Sequence, residues 1–121
     1  MMIKILIVED NPNNFYLIQF ILQKNGFEVI WAKTGEEGVV MASGEKPSLI
    51  LMDIQLPGID GYEATRRIRE NKALSEIPII AVTSYAMTGD REKSLRLGCT
   101  GYIEKPIDPD KIVSQIMKFL D

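Results

Sequence analysis

The sequence predicts an α/β domain with a five-stranded parallel sheet and helices on both of its faces. Short apolar runs alternate five times with helical segments along the 121 residues. These runs are continuous rather than alternating between apolar and polar positions, which is typical of strands that are buried on both sides. Because 45% of the residues are hydrophobic, we expect one domain with a single sizeable core, spanning residues 1–121.

The first helix has clear signals at both ends. It follows a first strand over residues 3–8, and Asn11-Pro12 matches an N-cap residue with proline at the first helical position. Gly26 fits the C′ position, where the chain needs a left-handed conformation. Residues 27–31 then form the second predicted strand.

The second and third helices also begin at capping residues. The spacing of Thr34 and Glu37 is that of a capping box, and it predicts a short helix before a turn at residues 43–47. The turn leads into the third strand, which ends at Asp53. Asp60 caps the third helix.

The second half of the chain is less clearly marked. A polar connection over residues 71–78 leads to the fourth strand, which ends at Thr83. Residues 84–93 are poor in apolar side chains, so the fourth helix is predicted to begin late and to end at Gly98. A short fifth strand follows at residues 102–103.

The last helix is predicted from a second cap-and-proline signal. Asp108-Pro109 repeats the pattern of the first helix and is expected to open this one. Its apolar positions are Ile112, Val113, Ile116, Met117, Phe119 and Leu120.

Polar side chains follow these apolar strands at the points where the strands end. They are Glu9 and Asp10 after the first strand, Asp53 and Thr83 at the ends of the third and fourth, and Lys105 beyond the fifth. In a parallel sheet these positions meet outside the carboxyl ends of the strands, where ligands bind. Three carboxylates there repel one another by about 4 kcal/mol per pair at ~4 Å and an effective dielectric constant near 20, unless a cation or a proton offsets their charge. The pattern therefore predicts a divalent metal site with a reactive aspartate.

The composition excludes several classes of site. The chain has no histidine, so it holds neither a Ser-His triad nor a His-ligated zinc site. Cys99 is its only cysteine, which excludes an internal disulfide and fits a reducing compartment. A net charge of −3 argues against nucleic-acid binding. Since we see neither a signal peptide nor a run approaching the ~20 apolar residues of a membrane span, we expect a cytoplasmic location without membrane association.

Four motifs of the chain resemble those of response-regulator receiver domains of two-component signalling. They are ILIVEDN at residues 5–11, LMDIQLPGIDG at 51–61, IAVTS at 80–84 and GCTGYIEKP at 98–106. The resemblance covers essentially the whole chain, and it is greatest to DivK-type single-domain regulators and to the receivers of hybrid histidine kinases. It implies a flavodoxin-like, CheY-like (βα)5 fold with strand order 2-1-3-4-5.

The resemblance also implies a phosphorylation site at the strand ends. Asp53 would be the phosphoacceptor, with Lys105 and Thr83 contacting the phosphoryl oxygens; without phosphate, Lys105 is expected to pair with an acidic neighbour. The implied cofactor is Mg²⁺ (or Mn²⁺), which takes oxygen ligands and keeps several waters. The implied ligands are Asp10 and Asp53 directly, Glu9 through a water molecule, and the backbone carbonyl of Gln55. In the family the peptide bond between Lys105 and Pro106 is cis.

By the same resemblance, Thr83 and Tyr102 form a switch. Thr83 would move toward the phosphoryl group, and Tyr102 would then swing inward and change the face made by the fourth helix, fifth strand and fifth helix. Tyr85 and Gln55 would restrict water at the acyl phosphate and set its lifetime.

A chain without histidine must receive the phosphoryl group from another protein. The expected donor is a histidine kinase or a histidine phosphotransfer protein that docks on the first helix, with Phe15, Leu17 or Ile18 contributing. We further expect a downstream protein target and a monomer or weak dimer. The only activities expected are self-phosphorylation and autodephosphorylation at Asp53, without turnover of an external substrate.

Other interpretations share parts of this pattern. A phosphohydrolase with an aspartyl-phosphate intermediate usually carries a second aspartate two residues after the first, where this chain has Gln55. A flavodoxin-like nucleotide or flavin binder needs a phosphate-cradling loop, whereas residues 9–12 are acidic. A receiver used only as a phosphorylation-independent interaction module is the remaining alternative. The presence of the acidic pair, Asp53, Thr83 and Lys105 argues against it.

Overall fold

The computed structural model of the protein describes residues 2–84 and 88–120, and of residues 88–90 it describes only the backbone. Within these residues five strands alternate with five α-helices. The strands are β1 (Lys4–Val8), β2 (Glu28–Ala32), β3 (Leu49–Asp53), β4 (Ile79–Thr83) and β5 (Gly101–Glu104). The helices are α1 (Pro12–Lys24), α2 (Gly35–Glu45), α3 (Gly61–Glu70), α4 (Thr88–Arg96) and α5 (Ile112–Met117). None of the helices in the described part of the chain has the length and apolar character needed to cross a membrane.

All five strands are parallel, and they lie in the order β2-β1-β3-β4-β5. The predicted fold class and strand order are therefore confirmed. The direction of winding reverses between β1 and β3, where Val8 pairs with Met52. This reversal places the residues that follow β1 beside the last residue of β3.

Two apolar layers cover the sheet, as the continuous apolar runs predicted. Alternate residues of each strand point to opposite faces. Leu6 and Met52 face a layer that includes side chains of α2 and α3, while Ile7 and Leu51 face one that includes side chains of α1 and α5. The sheet is thereby covered on both faces, and the loops that follow its strands lie at its edge.

The helix caps predicted for α1, α2 and α3 are present. The Asn11 side chain accepts the backbone N–H groups of Asn13 and Asn14 at 2.9 and 3.4 Å, and Gly26 has a positive φ of 88° just beyond the end of α1. The side chains of Thr34 and Asp60 cap α2 and α3 in the same way. These caps fix where the loops leave the carboxyl edge of the sheet.

Two helix boundaries differ from the prediction. The expected turn at residues 43–47 is wrong in its first part, because α2 continues through Glu45 and ends where Lys46 adopts a left-handed conformation with φ 46°. The Asp108-Pro109 signal does not open α5 directly. The Asp108 side chain accepts the N–H of Asp110 at 2.9 Å, which makes a turn, and the helix starts at Ile112.

Smaller differences lie in the connections. The predicted polar connection over residues 71–78 contains a 3-10 helix, Lys72–Leu74, whose Leu74 is buried. The structure places β2 one residue later than predicted and extends β5 by one residue at each end. The predicted late start of the fourth helix falls partly on residues 85–87, which lie outside the described residues.

Candidate functional site

The ends of β1 and β3 bring three carboxylates together. Glu9 and Asp10 follow β1, and Asp53 is the last residue of the neighbouring β3. One oxygen of each of the three side chains lies within 4.8 Å of the others. Glu9 and Asp53 are buried, with 3% of each exposed, whereas Asp10 is exposed. Two acids of the cluster are therefore buried, and the third is exposed to solvent.

Asp53 is held at both carboxylate oxygens. The Lys105 ammonium lies 3.1 Å from Oδ2, and the backbone N–H of Gln55 donates to Oδ1 at 3.0 Å. The expected pairing of Lys105 with an acidic neighbour is confirmed. Because the ion pair is largely shielded from solvent, the lysine charge compensates Asp53 more effectively than an exposed pair would.

The surroundings of Glu9 disfavour the ionised form of its carboxyl group. Burial, then a hydrogen bond to the Asp53 carboxyl group and the negative charge of Asp53, raise the pKa of Glu9 from 4.5 to about 7. The backbone N–H of Asn11 donates to its Oε2 at 3.2 Å, which partly opposes this rise. A proton on Glu9 thus offsets one of the three charges near neutral pH.

Lys105 follows β5, the last strand of the sheet, and its ammonium reaches Asp53 at the end of β3. Its backbone N–H donates to the carbonyl of Thr83 at 2.8 Å, which continues the β4–β5 pairing one step beyond the strands. Thr83 itself is 2% exposed. The expected cis peptide bond between Lys105 and Pro106 is present.

Tyr102 lies on the sheet face where Thr83 also points. It pairs with Ala81 in the β4–β5 register, and Ala81 is two residues before Thr83 on the same strand. The Tyr102 ring is half-buried, and the Arg91 guanidinium of α4 lies 5.4 Å from its centre. Tyr85, which was expected to restrict water, lies outside the described residues.

A cavity of about 390 Å³ opens beside the Asp53–Lys105 pair. It is lined by Glu9, Asn14, Leu17, Ser84, Lys105, Pro106 and Ile107. Of the three α1 residues expected to meet a donor protein, Leu17 is 46% exposed, whereas Phe15 and Ile18 are buried in the core. Leu17 is thus the one that is accessible to a protein docking over the cavity.

Gly61 explains how α3 can start so close to the end of β3. A Cβ at this position would lie 2.7 Å from the Cα of Ile54, directly after β3. Gly58 has a φ of 75° in the connecting loop. Both glycines therefore shape the turn after Asp53 rather than cradling phosphate.

Sequence reasoning assigned Trp31 only to the second strand, yet the structure brings it to the site. Its indole Nε1–H donates to the backbone carbonyl of Glu9 at 2.8 Å. The contact depends on how β2 pairs with β1, and the only signal in the sequence is that Trp31 lies near the end of the strand beside the acidic pair.

The model of the response regulator receiver domain family matches residues 5–117. The chain belongs to this family. It is 40% identical over 116 residues to the polar-differentiation response regulator DivK of Brucella ovis, which covers 96% of this chain and 94% of that protein. The resemblance inferred from the four motifs is confirmed, and the chain is a receiver domain of two-component signal transduction.

Two solved receivers are close in structure. The receiver domain of a sensor histidine kinase from Pseudomonas aeruginosa, solved with a magnesium ion in its active-site cleft, is 37% identical with a TM-score of 0.91, covering 99% of this chain and 98% of that one. The receiver domain of the Saccharomyces cerevisiae response regulator Ssk1, crystallised with the histidine phosphotransfer protein Ypd1, is 30% identical with a TM-score of 0.91. That match covers 98% of this chain and 89% of the other.

The donor set of this receiver fits a hard divalent cation. Glu9, Asp10 and Asp53 offer only carboxylate oxygens, and the chain has neither histidine nor a cysteine near them. Oxygen-only sites are typical of Mg²⁺, whereas zinc prefers nitrogen and sulfur ligands.

Proposed function

We propose that residues 1–121 form one receiver domain in which Asp53 accepts a phosphoryl group from a histidine kinase or histidine phosphotransfer protein. The observation that carries this proposal is the arrangement of Asp53 itself. Its buried carboxylate lies between a lysine ammonium at 3.1 Å and two further carboxylates, at the point where the sheet reverses its winding. Family membership agrees with it.

Magnesium or manganese would be held by Asp10 and Asp53 directly, by Glu9 through a water molecule, and by the backbone carbonyl of Gln55. The oxygen-only donor set and the magnesium-containing P. aeruginosa receiver support this assignment. When bound, the cation supplies positive charge that compensates the carboxylates and the equatorial oxygens of the phosphoryl group.

The remaining work falls to side chains of the chain itself. A carboxylate oxygen of Asp53 attacks phosphorus in line with the P–N bond of the donor's phosphohistidine. As the O–P bond forms the P–N bond breaks, the donor imidazole leaves, and an acyl phosphate remains on Asp53. Lys105, which holds Oδ2 before transfer, moves its contact to a phosphoryl oxygen as a compact cation. The hydroxyl of Thr83 donates to another oxygen. Since phosphoryl transfer depends mainly on position and charge, these contacts account for the protein's share of catalysis.

The new contacts would also bias a switch. Thr83 and Tyr102 share one sheet face, so movement of Thr83 toward the phosphoryl group opens space on the side of Tyr102. The half-buried ring then moves inward, and the surface of α4, β5 and α5 changes for a downstream protein target. A modification shifts such an equilibrium only through contacts that differ between the two states, and the phosphoryl contacts of Thr83 and Lys105 are of this kind.

The donor would dock over the cavity beside Lys105, against α1. The exposed Leu17 and the lining of the cavity support this placement, as does the yeast receiver crystallised with a phosphotransfer protein. We place the protein in the cytoplasm, as a monomer or weak dimer. Its own chemistry is self-phosphorylation and autodephosphorylation, with the side chain of Gln55 limiting the access of water.

Mass measurement after incubation with acetyl phosphate and Mg²⁺ tests this proposal. We expect an adduct of one phosphoryl group that is lost in Asp53→Asn and when the metal is chelated, because both the nucleophile and its charge compensation are then removed. Asp110→Asn is the matched control, since Asp110 is exposed and is not a member of the carboxylate cluster. It should retain the adduct.

An unmodified parent protein, under conditions that label another receiver, would contradict phosphoacceptor activity and favour the phosphorylation-independent interaction module. An adduct that persists in Asp53→Asn would place the acceptor on a different residue.

A further inference from the structure

Two residues at the end of β2 hold the backbone of Glu9 from both sides. The Glu9 N–H donates to the carbonyl of Ala32 at 3.0 Å, and the Glu9 carbonyl accepts the indole N–H of Trp31 at 2.8 Å. That carbonyl belongs to the peptide unit that joins Glu9 to Asp10. Because a peptide unit is planar, fixing the direction of its carbonyl also fixes the N–H and Cα of Asp10.

Asp10 depends on this backbone for its position. Its side chain is exposed, whereas Glu9 and Asp53 are buried and bonded. Within the described residues, neither a hydrogen bond nor an ion pair restrains the Asp10 carboxylate. Its place in the cluster is therefore set mainly by the peptide unit that Trp31 holds.

The Trp31 ring is itself fixed in orientation. Phe15 stacks on it with ring centres 4.1 Å apart and planes within 5°, and Tyr16 meets it at 5.8 Å and 64°. The Lys33 ammonium lies 4.8 Å from the ring centre. These three contacts hold the ring in one orientation, with its indole N–H directed at the Glu9 carbonyl.

Phe15 also closes the loop that carries the acids. Its backbone N–H makes the first bond of α1, to the carbonyl of Asn11 at 3.1 Å. The stack of Phe15 on Trp31 therefore ties the far end of the acidic loop to the same strand that holds its beginning. A tryptophan that merely filled the edge of the core would require only some acceptor for its N–H; here the acceptor is the peptide between two candidate metal ligands.

We propose that Trp31 is a positioning residue of the acidic site, which sets Mg²⁺ affinity by orienting the peptide between Glu9 and Asp10. This inference rests on the proposed function only in taking Glu9 and Asp10 as metal-binding residues. Outer partners that orient metal ligands typically contribute 10–100-fold to metal affinity. Since Trp31 acts on the backbone rather than on a ligand atom, we expect an effect near the lower end of that range.

The test uses the fact that Trp31 is the only tryptophan, so the protein gives one indole N–H resonance in a ¹⁵N-labelled sample. Metal-free protein is titrated with MgCl₂. We expect the indole resonance to shift with the same midpoint as the backbone amides of Asp10 and Asn11. In Trp31→Phe, which keeps an aromatic ring against Phe15 but loses the donor, the Mg²⁺ dissociation constant should rise about 10-fold.

Val29→Ala is the matched control, because Val29 is half-buried on the same strand and packs into the core on the α1 side. It should lower the urea midpoint while leaving the Mg²⁺ dissociation constant within about 2-fold of the parent, since the Trp31–Glu9 bond is retained. A purely structural role of Trp31 would instead change the urea midpoint and leave Mg²⁺ affinity unaltered.

The outcomes separate the two proposals. A parent protein whose amides do not respond to Mg²⁺ would overturn the metal site of the proposed function, and this inference with it. If the parent binds Mg²⁺ and Trp31→Phe binds it equally well, only the role of Trp31 is overturned.

Discussion

The two sides of the acidic site are attached to the protein in different ways. On the side of β1 and β2, α1 buries Phe15, Ile18 and Leu22, each no more than 3% exposed. On the side of β5, α4 has six described side chains, at residues 91–96, and only Ser94 among them is buried. Burial of large apolar side chains stabilises by about 1.5–3 kcal/mol each, so the described side chains hold α1 more firmly than α4.

The described contacts of α4 with the rest of the protein are mostly polar or cationic. Arg91 lies 5.4 Å from the ring centre of Tyr102, and Lys93 lies 4.6 Å from that of Tyr62. Just beyond the helix, the carbonyl of Gly98 accepts the Nε–H of Arg69 at 2.9 Å. Exposed cation–π contacts contribute about 0.5–1 kcal/mol each, and a hydrogen bond from a charged group about 1.5–3 kcal/mol. The side of β1 and β2 is therefore held by apolar burial, whereas the described residues of α4 are held by weaker contacts.

The largest expected effect comes from truncating the apolar face of α1. Leu22→Ala removes a fully buried side chain and should lower the free energy of unfolding by about 2–5 kcal/mol. Leu95→Ala makes the same chemical change in α4, where the side chain is 47% exposed, and should cost about 0.5 kcal/mol or less. Urea denaturation of both variants measures the difference. Equal losses would mean that α4 is held by apolar burial after all, and the comparison would fail.

The second prediction concerns the firmly held side and its pH dependence. The pKa of Glu9 is raised from 4.5 to about 7, so between these values the folded protein binds a proton that the unfolded chain has lost. Stability contributed by this proton is fully present below pH 4.5 and is lost as pH rises through 7. Glu9→Gln should remove this decline in stability. Between pH 5 and pH 8 its free energy of unfolding should rise by on the order of 2–3 kcal/mol relative to that of the parent.

Urea denaturation of metal-free protein at several pH values measures this effect. Glu92→Gln is the control, because Glu92 is exposed on α4, and its curve should follow the parent. A parent whose stability is constant from pH 5 to pH 8 would show that Glu9 is ionised in the folded state without cost.

The sheet and the acidic edge could be predicted because they depend on patterns that are local in sequence. Continuous apolar runs mark strands covered on both faces, and parallel strands bring their carboxyl ends together, so Glu9, Asp53 and Lys105 had to meet if the strands were placed correctly. Side-chain caps such as Asn11 are equally local, since the residue bonds to backbone two and three positions ahead.

What escaped prediction depends on contacts between distant segments or on competing local bonds. Trp31 reaches Glu9 only through the β1–β2 register, in which Ile7 pairs with Trp31. Arg69 bonds to Gly98, 29 residues away. At the start of α5, the Asp108 side chain bonds to Asp110 and forms a turn instead of capping a helix. A capping motif identifies a residue whose side chain can accept a hydrogen bond from the backbone ahead of it. It does not decide whether that bond caps a helix or closes a turn.

The smallest expected effect isolates the contact between α4 and Tyr102. Arg91→Ala removes a cation that lies over the Tyr102 ring, an interaction of about 0.5–1 kcal/mol at an exposed site. Global stability should change little, because the loss falls on a helix that opens more easily than the core. Local opening of α4 should increase about 2- to 5-fold, which follows from the same energy, and hydrogen exchange of the amides at residues 92–96 measures it.

Arg96→Ala is the matched control, since Arg96 is exposed on the same helix and the structure describes no ring contact for it. The Tyr102 ring resonances should shift in Arg91→Ala and not in Arg96→Ala. If both variants exchange at the same rate, α4 is held at its other contacts, such as Lys93 on Tyr62, and its weak attachment does not run through Tyr102.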